Sequence, residues 1–206
     1  MSTIAINMFL TLDGVAQGPG GTDEDLDGGF AHGGWTTSYF TEQLGEIIWK
    51  WHVDPGALLL GRRTYDIFAG FWPKVPADHD DAAMARVLNE APKYVASRTL
   101  DKADWQNSTV LAGDVVEAVT ELKKQDLGEI QVLGSVNLAQ TLIEHDLIDE
   151  FRLTVFPVVL GTGKRLFGDG TVPTSMKLVS ATSTDAGVVA CVYRRAGKPT
   201  YGSFGL

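Results

Sequence analysis

Three apolar runs in this chain end at a glycine or another small residue and pass directly into polar residues. They read LLLGRRTY at 58–65, YVASRTL at 94–100 and IQVLGSVN at 130–137. Such a run is typical of a strand buried on both faces of a parallel sheet, and a helix start after it presents free N–H groups that favour an anion. Because these turns collect at the carboxyl edge of the sheet, they predict a long, multiply charged ligand lying across that edge.

The other segments alternate in the same way and predict an α/β body. Residues 3–10 read as the first strand, and apolar residues at three-and-four spacing predict a helix that is capped by Thr36 or Thr37. Residues 14–34 are rich in glycine and lack apolar periodicity, which is typical of a functional or mobile loop. After residue 150 the strand-like segments have no helix between them, which predicts antiparallel strands at the C-terminal end of the chain.

Composition argues against several function classes. The formal net charge is −9 and the pI is near 4.8, which disfavours nucleic acid or an anionic membrane as a partner. Cys191 is the single cysteine and the four histidines lack metal-ligand spacing, so we expect no metal site. The sequence shows neither a signal peptide nor a membrane-spanning run, so we expect a cytoplasmic protein.

The residues at the three turns suit phosphate groups. Glycine lets a phosphate approach the backbone, arginine supplies charge, and serine or threonine supplies a hydroxyl donor. These residues are Gly61, Arg62, Arg63 and Thr64 at the first turn, Ser97, Arg98 and Thr99 at the second, and Gly134 and Ser135 at the third. Ordinary helix caps with surface arginines, and close helix-on-sheet packing at the third turn, are the alternative interpretations.

Two common nucleotide-binding motifs are absent from the sequence. No GxGxxG fingerprint follows a strand, and the run GTGKRLFGDG at 161–170 precedes no clear helix. A P-loop is also missing. The pattern therefore favours a dinucleotide held by three separate turns.

In their order along the chain, these segments resemble a known family. They are Asp13-Gly14 after the first strand, LLLGRRTYDIF with FWP, the Ser-Arg-Thr turn, IQVLGSVNLAQTLIEHDLIDEFRL and PVVLGTGKRLF. Together they resemble the dihydrofolate-reductase-like proteins of the riboflavin-biosynthesis reductase C-terminal domain type, over nearly the whole chain. The resemblance implies a three-layer α/β fold with a mainly parallel central sheet of about eight strands, an antiparallel C-terminal strand and helices on both faces.

The resemblance also implies NADPH as cofactor and a homodimer as the assembly. The first turn would hold the cofactor phosphates, the second the adenosine end, and Gly134, Ser135, Val136, Asn137 and Leu138 the pyrophosphate and nicotinamide ribose. Arginines at two turns favour NADPH over NADH, because a phosphomonoester carries about two negative charges and suits arginine. The loop from Asp13 to Trp35 would form a lid that excludes water. The phosphate contacts also leave open a different hydride cofactor, such as a deazaflavin.

The sequence offers fewer candidate residues for substrate binding and catalysis. Dihydrofolate reductases use a carboxylate on the first helix, where this chain offers Glu42 and Glu46, which equally suit a solvated face. Asp13 is the candidate catalytic acid, with an Asx turn as its alternative. Gln17 and Trp35 are candidates for substrate contacts, with core packing as the alternative for tryptophan.

The sequence therefore predicts a single NADPH-dependent reductase domain over residues 1–197, followed by a tail at 198–206. Its substrate is expected to be a small heterocyclic or sugar-linked molecule. One alternative is 5-amino-6-(5-phosphoribosylamino)uracil reductase, which needs basic residues for a substrate phosphate, with Lys164 and Arg165 as candidates. The other is a non-catalytic NADPH-binding protein.

Overall fold

A computed structural model of the chain describes residues 1–205 and contains eight strands in one sheet. The strands are β1 (Thr3–Thr11), β2 (Ala57–Gly61), β3 (Lys93–Ala96), β4 (Ser108–Leu111), β5 (Glu129–Leu133), β6 (Glu150–Phe156), β7 (Met176–Ser183) and β8 (Val189–Arg195). Their order across the sheet is β4-β3-β2-β5-β1-β6-β8-β7. Neighbours from β4 to β6 are parallel, whereas β8 is antiparallel to β6 and β7. The expected mainly parallel sheet with an antiparallel C-terminal strand is confirmed.

Five helices connect these strands. They are α1 (Glu42–His52), α2 (Arg62–Phe71), α3 (Ala82–Glu90), α4 (Val115–Lys124) and α5 (Val136–Glu144). The prediction that Thr36 or Thr37 caps the first helix is wrong, because both belong to a separate 3-10 turn, Thr37 within it and Thr36 directly before it. Helix α1 begins after Thr41, whose side chain accepts a hydrogen bond from the backbone N–H of Leu44.

Helices cover both faces of the sheet, as the alternation along β2 requires. Ala57 and Leu59 belong to one apolar cluster, which includes residues of α4 and α5. Leu58 and Leu60 point the other way, into a cluster that includes Tyr65 of α2 and Leu88 of α3. A third cluster joins α1 to residues of the loop 14–34. Within residues 1–205, none of the helices has the length and apolar character needed to cross a membrane.

Lys93 at the start of β3 is a buried cation that closes the C-terminal end of α3. Its Nζ donates hydrogen bonds to the backbone oxygens of Leu88, Asn89 and Ala91 at 2.8, 3.0 and 2.7 Å, and it lies 4.4 Å from the centre of the Trp105 ring. Burial lowers the pKa of Lys93 to about 8, so the amine remains protonated at neutral pH.

Replacing Lys93 with methionine is expected to lower the free energy of unfolding by about 2–3 kcal/mol, because the carbonyl oxygens that end α3 lose their donor. Urea denaturation of the purified variant measures this loss. The exposed Lys102, paired with Asp104 in solvent, provides the matched control, and Lys102→Met should leave the stability unchanged. Equal stabilities of the two variants would contradict the capping role.

Candidate active site

A cavity of roughly 2120 Å³ runs along the carboxyl edge of the parallel strands. All twelve residues that the sequence assigned to cofactor binding line it, although they come from three separated parts of the chain. They are Gly61, Arg62, Arg63, Thr64, Ser97, Arg98, Thr99, Gly134, Ser135, Val136, Asn137 and Leu138. Strands β3, β2 and β5 are consecutive in the sheet, so the three turns form a continuous row.

The first and third turns interlock through Ser135. Its Oγ accepts a hydrogen bond from the backbone N–H of Gly61 at 2.8 Å and donates to the oxygen of Leu133 at 3.1 Å. A Cβ atom on Gly61 would lie 3.3 Å from both Cβ and Oγ of Ser135, so any larger residue would push the turns apart. Gly134 has a φ of +52°, which favours glycine. The two turns therefore form one surface on which backbone, rather than side chain, faces the cavity.

Two helix starts open onto this surface without a side-chain cap. Helix α2 follows Gly61, which has no side chain to cap it. Helix α5 follows Ser135, whose side chain accepts no hydrogen bond from the helix. In contrast, Asp114 caps α4 by accepting from the backbone N–H groups of Val116 and Glu117. The uncapped N–H groups of α2 and α5, with the helix dipoles behind them, can hold phosphate oxygens.

The three arginines of the turns differ in how they are paired. Arg98 is exposed and makes no ion pair within residues 1–205. Nε of Arg62 lies 2.7 Å from Oδ2 of Asp66, and the Arg63 guanidinium pairs with Asp25 and Asp27 of the glycine-rich loop. Arg98 is therefore the turn arginine whose guanidinium is available to a ligand phosphate without breaking an existing pair.

The glycine-rich loop, called the lid below, is residues 14–34. Gln17 is only 3% exposed and is hydrogen-bonded at both ends of its amide. Its Oε1 accepts from the backbone N–H of Lys164 at 3.0 Å, and its Nε2 donates to the oxygens of Asp25 and Asp27 at 3.1 and 2.9 Å. Trp35 is buried, donates from Nε1 to the oxygen of Gln17 at 2.8 Å, and does not line the cavity. The structure thus places Gln17 at the cavity wall and Trp35 behind it.

Four charged side chains join the lid to the rest of the site. Nζ of Lys164 lies 2.9 Å from Oδ2 of Asp25 and 2.8 Å from Oδ2 of Asp27, and Arg63 contacts the same two carboxylates. The hydrogen bond and charge of Lys164, together with the charge of Arg63, lower the pKa of Asp27. The cluster therefore connects the lid to the start of α2 and to the loop that contains Lys164.

Asp13 lies outside the group of residues that line the cavity. Its carboxylate accepts hydrogen bonds from Thr11 Oγ1 at 2.6 Å and from the backbone N–H groups of Leu160 and Gly161 at 3.2 and 2.8 Å, and Arg165 is 3.3 Å away. The Thr11 hydroxyl and these N–H groups lower the pKa of Asp13 to about 2. Such contacts suit a carboxylate that fixes two loops, whereas a catalytic role for Asp13 stays a prediction.

Asp13→Asn is expected to lower the free energy of unfolding at pH 7 by about 1 kcal/mol without changing nucleotide affinity. Because the pKa in the folded state lies below the ordinary value of 3.8, the stabilisation is present above about pH 4 and is lost as the pH falls towards 2. Thermal unfolding between pH 2 and 7 tests this, with the exposed Asp169→Asn as control. A normal stability but a lost turnover would instead assign Asp13 to catalysis.

Beyond the third turn, the cavity continues over β1 and β6 and against α1. Asn7, Phe9 and Thr154 form part of its floor, and Glu42 and Glu46 lie on its wall. Sequence reasoning missed Asn7 and Thr154. The signal for Asn7 is present, since it is the one polar residue in the run IAINMFL at 4–10, but nothing in the sequence shows that it faces a cavity.

Comparison with known proteins identifies similar chains over nearly the full length. A family model described as the RibD C-terminal domain matches residues 2–190. The uncharacterised protein YyaP of Bacillus subtilis (strain 168) is 32% identical over 199 residues, which cover 94% of this chain and 95% of that protein.

Solved structures share the fold. A putative riboflavin biosynthesis protein from Shewanella sp. PV-4 has a TM-score of 0.68 at 21% identity, with 95% of this chain and 99% of that chain covered. A diaminohydroxyphosphoribosylaminopyrimidine deaminase/5-amino-6-(5-phosphoribosylamino)uracil reductase from Thermotoga maritima has a TM-score of 0.62 at 16% identity. The match covers 95% of this chain and 57% of the Thermotoga chain.

Proposed function

The chain belongs to the RibD C-terminal domain family, which is reductase-like, and from this premise we propose that it is a cytoplasmic NADPH-dependent reductase of a small heterocyclic substrate. The observation that carries the proposal is that the three turns whose residues suit phosphate groups line one cavity. Among the described residues, Arg98 makes no ion pair there. The family supports an oxidoreductase. The choice of NADPH rests on the arginines.

The residues at the turns fit a dinucleotide phosphate. The uncapped starts of α2 and α5 suit the pyrophosphate, because backbone N–H groups and helix dipoles attract its oxygens. Gly61 and Gly134 leave room for the backbone to approach it. Arg98, with the hydroxyls of Ser97 and Thr99 beside it, suits the 2′-phosphate of the adenosine ribose. NADH lacks that phosphate and gains nothing from Arg98.

When bound, NADPH would supply a hydride from C4 of its dihydronicotinamide ring. The chain's own part is binding, orientation and exclusion of water. The interlocked turns at Gly61 and Ser135 hold a fixed surface, and the lid, tied down through Gln17 and the charged cluster, covers the cavity from one side.

Titration with NADPH and NADH, followed by nicotinamide fluorescence, tests the cofactor assignment directly. We expect NADPH to bind more tightly than NADH, and absence of binding by either at millimolar concentration would refute the proposal. Loss of NADPH absorbance in the presence of heterocyclic substrates then tests turnover. A protein that binds NADPH but turns over none of a broad panel would favour the non-catalytic alternative.

We also propose a homodimer that forms through β7. This edge strand is exposed along its length, and Leu178 and Val179 are each 50% exposed, which is unusual for apolar residues on an unpaired edge. Light scattering after gel filtration is expected to give twice the mass of the chain. Val179→Lys should shift the protein to the monomer, whereas Leu12→Lys, at an exposed apolar residue after β1, should not. A monomeric wild-type protein would contradict the assignment.

A further inference from the structure

Ser135 lies directly before α5, at the position where a serine usually caps a helix, but it does not cap this one. A serine at that position normally accepts a hydrogen bond from the backbone N–H two or three residues further on. The side chain of Ser135 accepts none from α5. The N–H groups at the start of α5 therefore receive no oxygen from Ser135.

The backbone of Ser135 turns its hydroxyl away from α5. Its φ and ψ are +61° and +53°, in the left-handed region, whereas a capping residue has an extended backbone. Asp114, which caps α4, shows the usual arrangement with φ −74° and ψ 127°. A left-handed backbone costs free energy in a residue with a Cβ atom, and it persists where the surrounding contacts fix it, often in a binding site. The hydroxyl contacts of Ser135 account for this conformation.

The hydroxyl of Ser135 bonds to the first turn in place of its own helix. It accepts from the backbone N–H of Gly61 at 2.8 Å and donates to the oxygen of Leu133 at 3.1 Å. Strands β2 and β5 pair only as far as Leu59 and Val132, so Gly61 lies beyond their ladder. The side chain of Ser135 thus extends the connection between the two strands past their ends, to the point where both helices begin.

Close packing at the same point brings α2 and α5 together. A Cβ atom on Gly61, the residue before α2, would lie 3.3 Å from Cβ of Ser135 and 3.7 Å from Cβ of Leu138 in the first turn of α5. A Cβ atom on Gly134 would lie 3.5 Å from Oγ1 of Thr64 in the first turn of α2. The two helix starts are therefore neighbours, and both helix dipoles act on the same part of the cavity.

Two neighbouring helix starts suit a ligand with two linked phosphates. Each start can hold one phosphate through its free N–H groups. The two phosphates of a pyrophosphate share an oxygen, so their separation is fixed. Both can bind at once only if the separation of the two helix starts is fixed as well, and the hydroxyl of Ser135 joins the two turns that set it.

We propose that Ser135 is a positioning residue for the cofactor pyrophosphate. Its hydroxyl holds the starts of α2 and α5 at the separation at which both contact the pyrophosphate, and its left-handed backbone keeps that hydroxyl from capping α5. This inference rests on the proposed function and names the residue that preorganises the same site. A preorganised site binds more tightly, because binding does not have to order it.

Ser135→Gly tests this role, because glycine adopts the left-handed conformation freely and loses only the side chain. Calorimetric titration should show NADP⁺ binding at least about tenfold more weakly than in the wild-type protein, the effect of losing one good hydrogen bond. The probe 2′-AMP carries the adenosine 2′-phosphate without a pyrophosphate, and it should bind variant and wild type equally. A residue that only stabilised the fold would not separate these two ligands.

Ser135→Ala keeps the Cβ atom beside Gly61 and removes the hydroxyl alone. It should show the same selective loss of NADP⁺ affinity, so that agreement between the two variants assigns the effect to the hydroxyl. Ser108→Ala is the matched control, because Ser108 Oγ is a buried hydroxyl without a partner in the described residues and Ser108 does not line this cavity. It should bind both ligands as the wild-type protein does.

Three results would overturn the inference: unchanged NADP⁺ affinity in both variants of Ser135, a loss in only one of them, or equal losses for NADP⁺ and 2′-AMP. Failure of the proposed function gives a different result, since the wild-type protein would then bind no NADP⁺. Wild-type protein that binds NADP⁺ but not 2′-AMP refutes only the assignment of the adenosine end. The NADP⁺ affinities and melting temperatures of the two variants then decide the role of Ser135.

Discussion

Arg98→Ala is expected to weaken NADPH binding by about 10- to 100-fold while changing NADH affinity by less than about threefold. The exposed Arg98 guanidinium has no acidic partner in the described residues, so a bidentate pair with a phosphate dianion forms without breaking another contact. NADH offers no phosphate at that position. The NADPH preference of the proposed reductase therefore depends mainly on this one side chain.

Fluorescence titration of the wild-type and Arg98→Ala proteins with both cofactors measures this effect. Arg86, on the exposed face of α3 and outside the cavity, supplies the control, and Arg86→Ala should bind both cofactors normally. A salt series adds a second readout, because the NADPH affinity of the wild-type protein should fall more steeply with ionic strength than that of Arg98→Ala. Equal losses for NADPH and NADH in Arg98→Ala would contradict the 2′-phosphate assignment.

The other two turn arginines should respond differently. Arg62 is paired with Asp66 one helical turn away, so it gives up an existing contact before it reaches a phosphate. Arg63 is held by Asp25 and Asp27 and thereby ties α2 to the lid. The sequence places all three arginines at turns, but only the structure separates the unpaired one from the two that are engaged.

The sequence predicted the sheet and the row of turns because both depend on local patterns. A buried strand shows as a continuous apolar run, and a helix start shows as the polar residues after it, so Gly61, Ser97 and Gly134 were recognisable one segment at a time. The start of α1 was misplaced because Thr36, Thr37 and Thr41 are equivalent as caps in sequence. In the structure the hydroxyls of Thr36 and Thr37 donate to backbone oxygens of the lid, so Thr41 is the one that caps α1.

The part of the cavity over β1 and β6 could not be predicted from the sequence, because its geometry depends on residues that are far apart in the chain. Asn7 acquires its orientation from Gln131, which is 124 positions away, and Gln131 in turn from Trp51 and Glu129. Gln17 contacts the backbone of Lys164 across 147 positions. No periodicity within a strand or helix encodes such contacts, so the role of a polar residue in an apolar strand becomes visible only when the fold is assembled.

Gln17→Leu is expected to disorder the lid while leaving the sheet folded. Leucine fills the buried space of Gln17 but leaves the oxygens of Asp25 and Asp27 and the N–H of Lys164 without their partners, which should destabilise the lid locally by about 2–4 kcal/mol. Hydrogen exchange read by mass spectrometry should show exchange of residues 18–34 faster by at least about tenfold, with exchange in β5 unchanged.

This variant also tests what the lid does for the proposed reaction. If the lid excludes water, Gln17→Leu should lower turnover of an accepted substrate more than it lowers NADPH affinity, because the phosphate contacts at the three turns remain intact. Gln106→Leu, at an exposed amide outside the lid and the cavity, is the control and should alter neither exchange nor turnover. Unchanged protection of residues 18–34 in Gln17→Leu would show that the charged cluster of Arg63, Lys164, Asp25 and Asp27 holds the lid without Gln17.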